Sequence, residues 1–184
     1  MVAVAFAFLL AFWSPNTSQR TGDYDLIKTP HALTVSSIVR GRTFLLGVPG
    51  DKVVVSEGSS RDHLSMAVDG RFLQIFSTPL TEFGGSGQDS HETTLRKHMQ
   101  YKAVSYKVPL KDIHSQISKL SNGRTVLLWS FDAHITPEIK QQLFVTFDWQ
   151  TYVVAIGSAV QAGQSAEELE QWLMRIAQSF RPET

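Results

Sequence analysis

Apolar positions follow three rhythms along this chain: an unbroken apolar run at the start, alternation with period two through most of the body, and a helical repeat near the end. In residues 43–48, Phe44, Leu46 and Val48 share one face, Pro49-Gly50-Asp51 predicts a turn, and Val53-Val54-Val55 predicts a partner strand over 52–56. These segments read as a hairpin. Residues 63–68 place Leu64, Met66 and Val68 on one side, Asp69-Gly70 is a two-residue hairpin signal, and 71–77 continues as the partner. Three more strands are predicted over 124–132, 140–148 and 151–158. Leu127, Trp129 and Phe131 line one face of the first, and Leu143, Val145 and Phe147 one face of the second. Asp148-Trp149-Gln150 makes the hairpin connection to the third.

Helical signals are fewer. After the glycine-rich loop Phe83-Gly84-Gly85-Ser86-Gly87, Asp89 with Glu92 three residues on predicts a capping box and a helix running to about 98–101. Ile113, Ile117 and Leu120 predict a second helix over 110–120, ended by Asn122-Gly123, while 102–109 reads equally as strand or loop. The clearest helix opens with the capping box Ser165-Ala166-Glu167-Glu168, carries Leu169, Trp172, Leu173, Ile176 and Phe180 at helical spacing, and meets Pro182 just beyond its end. Together these elements predict an α+β fold: one antiparallel sheet of about six or seven strands with two or three packed helices, not a parallel βαβ array. There is no internal repeat.

The opening run bears on where this domain works. Every residue from Met1 to Trp13 is apolar, and the first charge is Arg20. The run is shorter than the roughly 20 residues that span a bilayer core as a helix, and it matches the apolar core of a signal peptide. No Lys or Arg precedes it and no Ala-x-Ala pair follows it. Three readings therefore stay open, in this order: export with cleavage, an uncleaved membrane anchor, and a buried element of a cytosolic domain. A start upstream of Met1 with a basic segment would complete the signal. Residues 14–23 then form a polar linker and 24–184 a single domain, expected outside the cytoplasm, periplasmic or secreted, or tethered to a membrane through 1–13. Asn16-Thr17-Ser18 is a glycosylation sequon that matters only in a eukaryotic secretory pathway.

Composition narrows the function classes. A chain of 184 residues, 42% apolar and 18% charged, can bury a two-layer core without covalent staples. Seventeen basic residues balance seventeen acidic ones without a dense Lys/Arg run, which argues against nucleic acid as a partner. The lack of cysteine excludes disulfides, thiolate catalysis, cysteine-ligated zinc, iron-sulfur clusters and a lipid-bearing lipoprotein cysteine.

The ending carries a resemblance. The strand with Leu143-Phe144-Val145-Thr146-Phe147, the strand with Tyr152-Val153-Val154-Ala155-Ile156 and the helix finishing Ile176-Ala177-Gln178-Ser179-Phe180 together resemble the C-terminal third of PsbP-like domains. That resemblance implies a sheet flanked by helices and a non-catalytic binding or assembly role outside the cytoplasm. The family has no shared catalytic residue, so none is carried over.

Six histidines raise the question of a metal: His31, His63, His91, His98, His114 and His134. His91 and His98 share a helix face but stand roughly 10 Å apart by helical rise, too far to hold one ion, and the i, i+4 spacing of a helical zinc motif is absent. Asp132 and His134, two apart at a strand end, are the best available pair of ligands, and two ligands do not make a site. The glycine loop lacks the Gly-Lys-Ser/Thr ending of a nucleotide loop, Asp89 and Glu92 would repel a phosphate there, and Gln88 breaks a nucleophile-elbow pattern around Ser86. It reads as a surface connection. Most aromatics fit a core, but Trp149, at a hairpin tip, is expected to be exposed and is the candidate partner contact.

The sequence thus predicts a non-catalytic extracytoplasmic binding or assembly module with no cofactor. The competing classes are a hydrolase using residues 84–98 (Gly84 to His98) with Asp132 or His134, and a cytosolic interaction domain.

Overall fold

The computed structural model describes residues 18–21, 24–29, 32–39, 42–56, 63–133 and 138–183. The leader, His31, His134 and Asn16-Thr17 lie outside the described residues. Among the described residues the chain is α+β, with antiparallel strands and two α-helices. The described strands form two sheets, where the sequence predicted one.

The first sheet orders β1 (Ser18–Thr21), β2 (Tyr24–Thr29), β3 (Ala32–Val39), β4 (Arg42–Pro49) and the short β12 (Arg181–Pro182). The second orders β5 (Val53–Val55), β6 (His63–Val68), β7 (Arg71–Pro79), β11 (Tyr152–Gln161), β10 (Ile139–Trp149), β9 (Thr125–Asp132) and β8 (Ile113–Lys119). The expected hairpin across Pro49-Gly50-Asp51 does not form. β4 pairs along its whole length with β3, which offers a longer alternating partner than the three-residue β5, and β5 pairs with β6. Gly50 is where the chain crosses between sheets. Its φ is 149°, and a Cβ there would lie 2.3 Å from Val68 Cγ1. The Asp69 carboxylate receives the N–H groups of Asp51 and Lys52 (2.8 Å to the latter) and fixes the start of β5 beside the next turn.

That next turn is the predicted hairpin β6–β7, with Asp69 and Gly70 both at positive φ (50° and 76°), as a type I′ turn requires. β9, β10 and β11 also fall where alternation placed them. Two helix predictions change. Helix α1 (His91–Tyr106) is capped by Ser90, whose Oγ accepts the Thr93 N–H, while Asp89 instead receives the Ser86 N–H and the Lys97 ammonium. It runs through 102–106 because Leu95, Met99 and Ala103 continue one buried stripe and no breaker intervenes. The predicted helix over 110–120 is a single 3₁₀ turn followed by β8. Ile113 and Ile117, four apart, satisfy period two as well as a helical repeat, and pairing with β9 decides between them.

Helix α2 (Ala166–Gln178) matches its sequence reading, with Ser165 accepting the Glu168 N–H. Its buried stripe, Leu169, Trp172, Leu173, Ile176 and Ala177, packs on β10 and β11, and the five-stranded sheet lies beside it in the same core. The helix end joins the sheets. Ser179 Oγ accepts the Gly47 N–H at 2.8 Å, Trp172 Nε1 donates to the Pro49 carbonyl at 3.2 Å, and Phe180 packs among Phe44, Phe147 and Trp149. The seven-stranded sheet is therefore a middle layer, with α2 and the second sheet on one face and α1 on the other.

Candidate functional site

Helix α1 covers only part of its face. Its buried stripe packs on Leu127, Trp129, Phe131 and Phe144 of β9 and β10 and on Val153 of β11. It meets β7 at the near edge, where His98 Nε2 lies 3.3 Å from Thr78 Oγ1 and the Lys102 ammonium sits 4.8 Å from the Phe76 ring. Beyond that edge, β5, β6 and the outer part of β7 carry no described helix, and a groove of about 650 Å³ opens there.

Sheet register explains its shape. Val54 pairs with Ala67, Ala67 with Phe72, and Ala159 with Gln142. Phe72 and Ala159 each lie two residues along from the pair Gln74–Gly157, so all five residues form one row across five strands. All five line the groove, and four of them are apolar. On one side stand Gln74 and Tyr106, the last residue of α1; on the other stand Lys52, Gly70 and Gln161. Burial pushes the Tyr106 hydroxyl up to about 12, so it stays protonated, and its ring leans on Phe131 and Phe144 at 5.4 and 5.6 Å.

Two polar features shape the floor. Gln142 is 5% exposed, and its Oε1 has no hydrogen-bond partner. Such an atom costs stability until something donates to it. Gln74 is held from behind: its Nε2 lies 3.3 Å from His63 Nε2, which also meets Ser65 Oγ at 2.8 Å, and the His63 ring stacks on Phe76 with centroids 4.4 Å apart. Burial, aided by the Lys102 ammonium, holds the His63 imidazole below its ordinary pKa and favours the neutral ring.

A second, polar cleft of about 480 Å³ lies where α1 begins, lined by His91, Asn122, Gly123, Arg124, Thr125 and Asp148. His91 Nδ1 pairs with Asp148 Oδ2 at 2.7 Å, and the two side chains are 71% and 19% exposed. Arg124 is spent mainly on packing, its guanidinium 4.1 Å from the Phe180 ring centroid and 4.8 Å from that of Phe147. Burial lowers its pKa, and Asp148 opposes that shift.

The residues singled out in the sequence are dispersed. Asp132 is exposed at one end of β9, while His91 sits by Thr125 and Asp148 at the other, ~24 Å away along eight strand residues. His98 is fully buried beneath α1, its pKa lowered to about 3 by burial with Lys102 adding to it, so it is neutral and sealed from solvent. His114 is exposed on the edge strand β8, by a shallow hollow shared with Gln116, Ser130 and Glu170. The Gly84–Ser86 loop is tied down by the start of α1: the Lys97 ammonium donates to the Gly84 carbonyl and to Asp89, whose carboxylate accepts the Ser86 N–H. Trp149 is not an exposed tip. It is half-buried, edge-on to Phe44 at 5.5 Å, because the second sheet, which the sequence reading did not anticipate, covers that end of β10. No group of three or more His, Cys, Asp or Glu among the described residues is placed to hold a metal, and no described helix is long and apolar enough to cross a membrane.

Sequence reasoning missed the groove. Its one signal was Val54, Ala67 and Phe72, apolar or small residues on the strand face opposite the predicted core rows. No protein-family model matches the chain, and no curated protein matches it.

Proposed function

We propose that this protein is a non-catalytic extracytoplasmic binding module whose ligand sits in the groove beside the last turn of α1. The observation that carries the reading is the row from Val54 to Gln142: a concave, mainly apolar strip on a sheet face, with a buried polar atom awaiting a partner. Concave apolar sites with a few placed polar groups are the usual form of small-molecule sites. The hydrolase alternative loses support from the placement of its parts, since Asp132 is far from His91 and His98 is buried. The apolar run from Met1 to Trp13 supports export, and the C-terminal likeness to PsbP-like domains supports a binding role.

The test is fluorescence titration with N-phenyl-1-naphthylamine, a neutral dye that brightens in apolar sites. The expected result is saturable binding at one dye per chain, abolished by Ala67→Trp, which fills the groove from a partly buried position on its floor; circular dichroism checks that the variant is folded. Binding unchanged by Ala67→Trp, or no binding to the wild type, sinks the groove reading. Fractionation of cells with N-terminal sequencing tests export: an intact Met1 on a cytosolic chain contradicts it.

A further inference from the structure

We infer that the occupant of the groove is a neutral, elongated amphiphile that lies across the strands and places a hydroxyl against Gln142 Oε1; this rests on the groove being the binding site. Five strands at about 4.8 Å spacing give the row a length of ~19 Å, so the strip suits a long, narrow body rather than a compact one. Its floor, Val54, Ala67, Phe72 and Ala159, is apolar and runs across the strands on the sheet's face. An extended peptide laid there would bring backbone N–H and C=O groups that these side chains cannot meet. A hydrocarbon body has no such groups.

The polar end is set by Gln142. A buried carbonyl oxygen without a partner asks for a donor, and a hydroxyl supplies one without bringing charge. Charge is disfavoured at that end. Among the groove's described lining residues only Lys52 is charged, and it is exposed beside β5, four strands from Gln142. A carboxylate placed at Gln142 would be desolvated without a cation and would face the amide oxygen. Tyr106, kept protonated by burial, also lines the groove and adds no charge of its own.

The experiment is displacement of bound N-phenyl-1-naphthylamine by 1-decanol, methyl decyl ether and decanoate, on the wild type, Gln142→Leu and Gln142→Met. Both substitutions keep the side-chain volume close, and thermal unfolding confirms that each variant folds. On the wild type, decanol is expected to displace the dye about tenfold more tightly than the ether, which has no proton to donate, and more tightly than decanoate. In both variants the preference for decanol over the ether should vanish, each competitor's affinity being taken relative to that variant's own dye affinity. Equal displacement by decanol and ether on the wild type overturns the hydroxyl contact yet leaves the groove as the site. Tightest displacement by decanoate overturns the neutral class. A decanol preference that survives in both variants removes Gln142 from the contact. Failure of the dye to bind is a different result, because it removes the groove itself.

Discussion

The seven-stranded sheet has apolar side chains on both faces, and the rest of the chain treats the two faces differently. On one, α2 and the second sheet close over Leu64, Leu73, Ile75, Val145, Phe147, Val154 and Ile156, all fully buried or close to it. On the other, the one described helix, α1, ends at Tyr106 and leaves β5 and β6 uncovered by any described helix, with Phe72 and Ala67 only partly buried. The covered face can supply the burial that folding requires, which frees part of the other to keep an apolar strip and an orphaned amide oxygen. Features that lower stability locally are the ones to suspect of function.

The largest effect that separates the faces is expected at Trp172, 1% exposed, hydrogen-bonded to Pro49 and set under Arg71. Trp172→Ala should remove about 3–5 kcal/mol, read by urea unfolding, whereas Phe72→Ala in the groove should remove about 1 kcal/mol or less and weaken dye binding instead. Equal losses would erase the distinction.

His98 marks where α1 seals its part of the open face. Its folded pKa, about 3, lies below the unfolded value of 6.5, so below pH 6.5 the unfolded chain binds a proton that the native state refuses. The stability linked to it is therefore complete above pH 6.5 and is lost as pH falls towards 3, at about 1.4 kcal/mol per pH unit. His98→Gln should flatten the curve by that slope in this window. Parallel curves for wild type and variant would mean that the α1 contact is open to water.

Gly157 tests the boundary between sealed and open regions. A Cβ there would sit 2.5 Å from Phe144 Cε1, in the aromatic stack that ends at the groove. Gly157→Ala should cost about 1–3 kcal/mol by thermal unfolding, by displacing that ring. The smallest effect has the opposite sign: Gln142→Leu should raise stability by about 1 kcal/mol, because it removes a buried acceptor with no partner. A loss of stability there would mean that the amide is satisfied in the free protein.

These expectations rest on parts of the structure that were unequally visible in the sequence. Local signals were sufficient for α2, for the Asp69-Gly70 hairpin and for β9 to β11, because spacing, cap and turn chemistry agree in each. Residues 110–120 misled because Ile113 and Ile117 fit both periods, and only pairing with β9 settles them as a strand. The crossing at Gly50 misled because its turn residues suit a hairpin, while the longer partner β3 captures β4. Trp149 was misplaced for the same reason: without the second sheet its hairpin tip looks bare. The groove was hidden more deeply, since it depends on where α1 stops relative to β5, β6 and β7. The meeting of His91 with Asp148, 57 residues apart, is likewise a product of tertiary packing.

The most direct test of the central claim is an NMR titration of the isotope-labelled protein with N-phenyl-1-naphthylamine, following amide and methyl shifts on both faces at once. The largest changes are expected on Val54, Ala67, Phe72, Gln142 and Ala159, with Leu169, Leu173 and Ile176 of α2 nearly still. Changes centred on α2, or on the His91–Asp148 cleft, would contradict it.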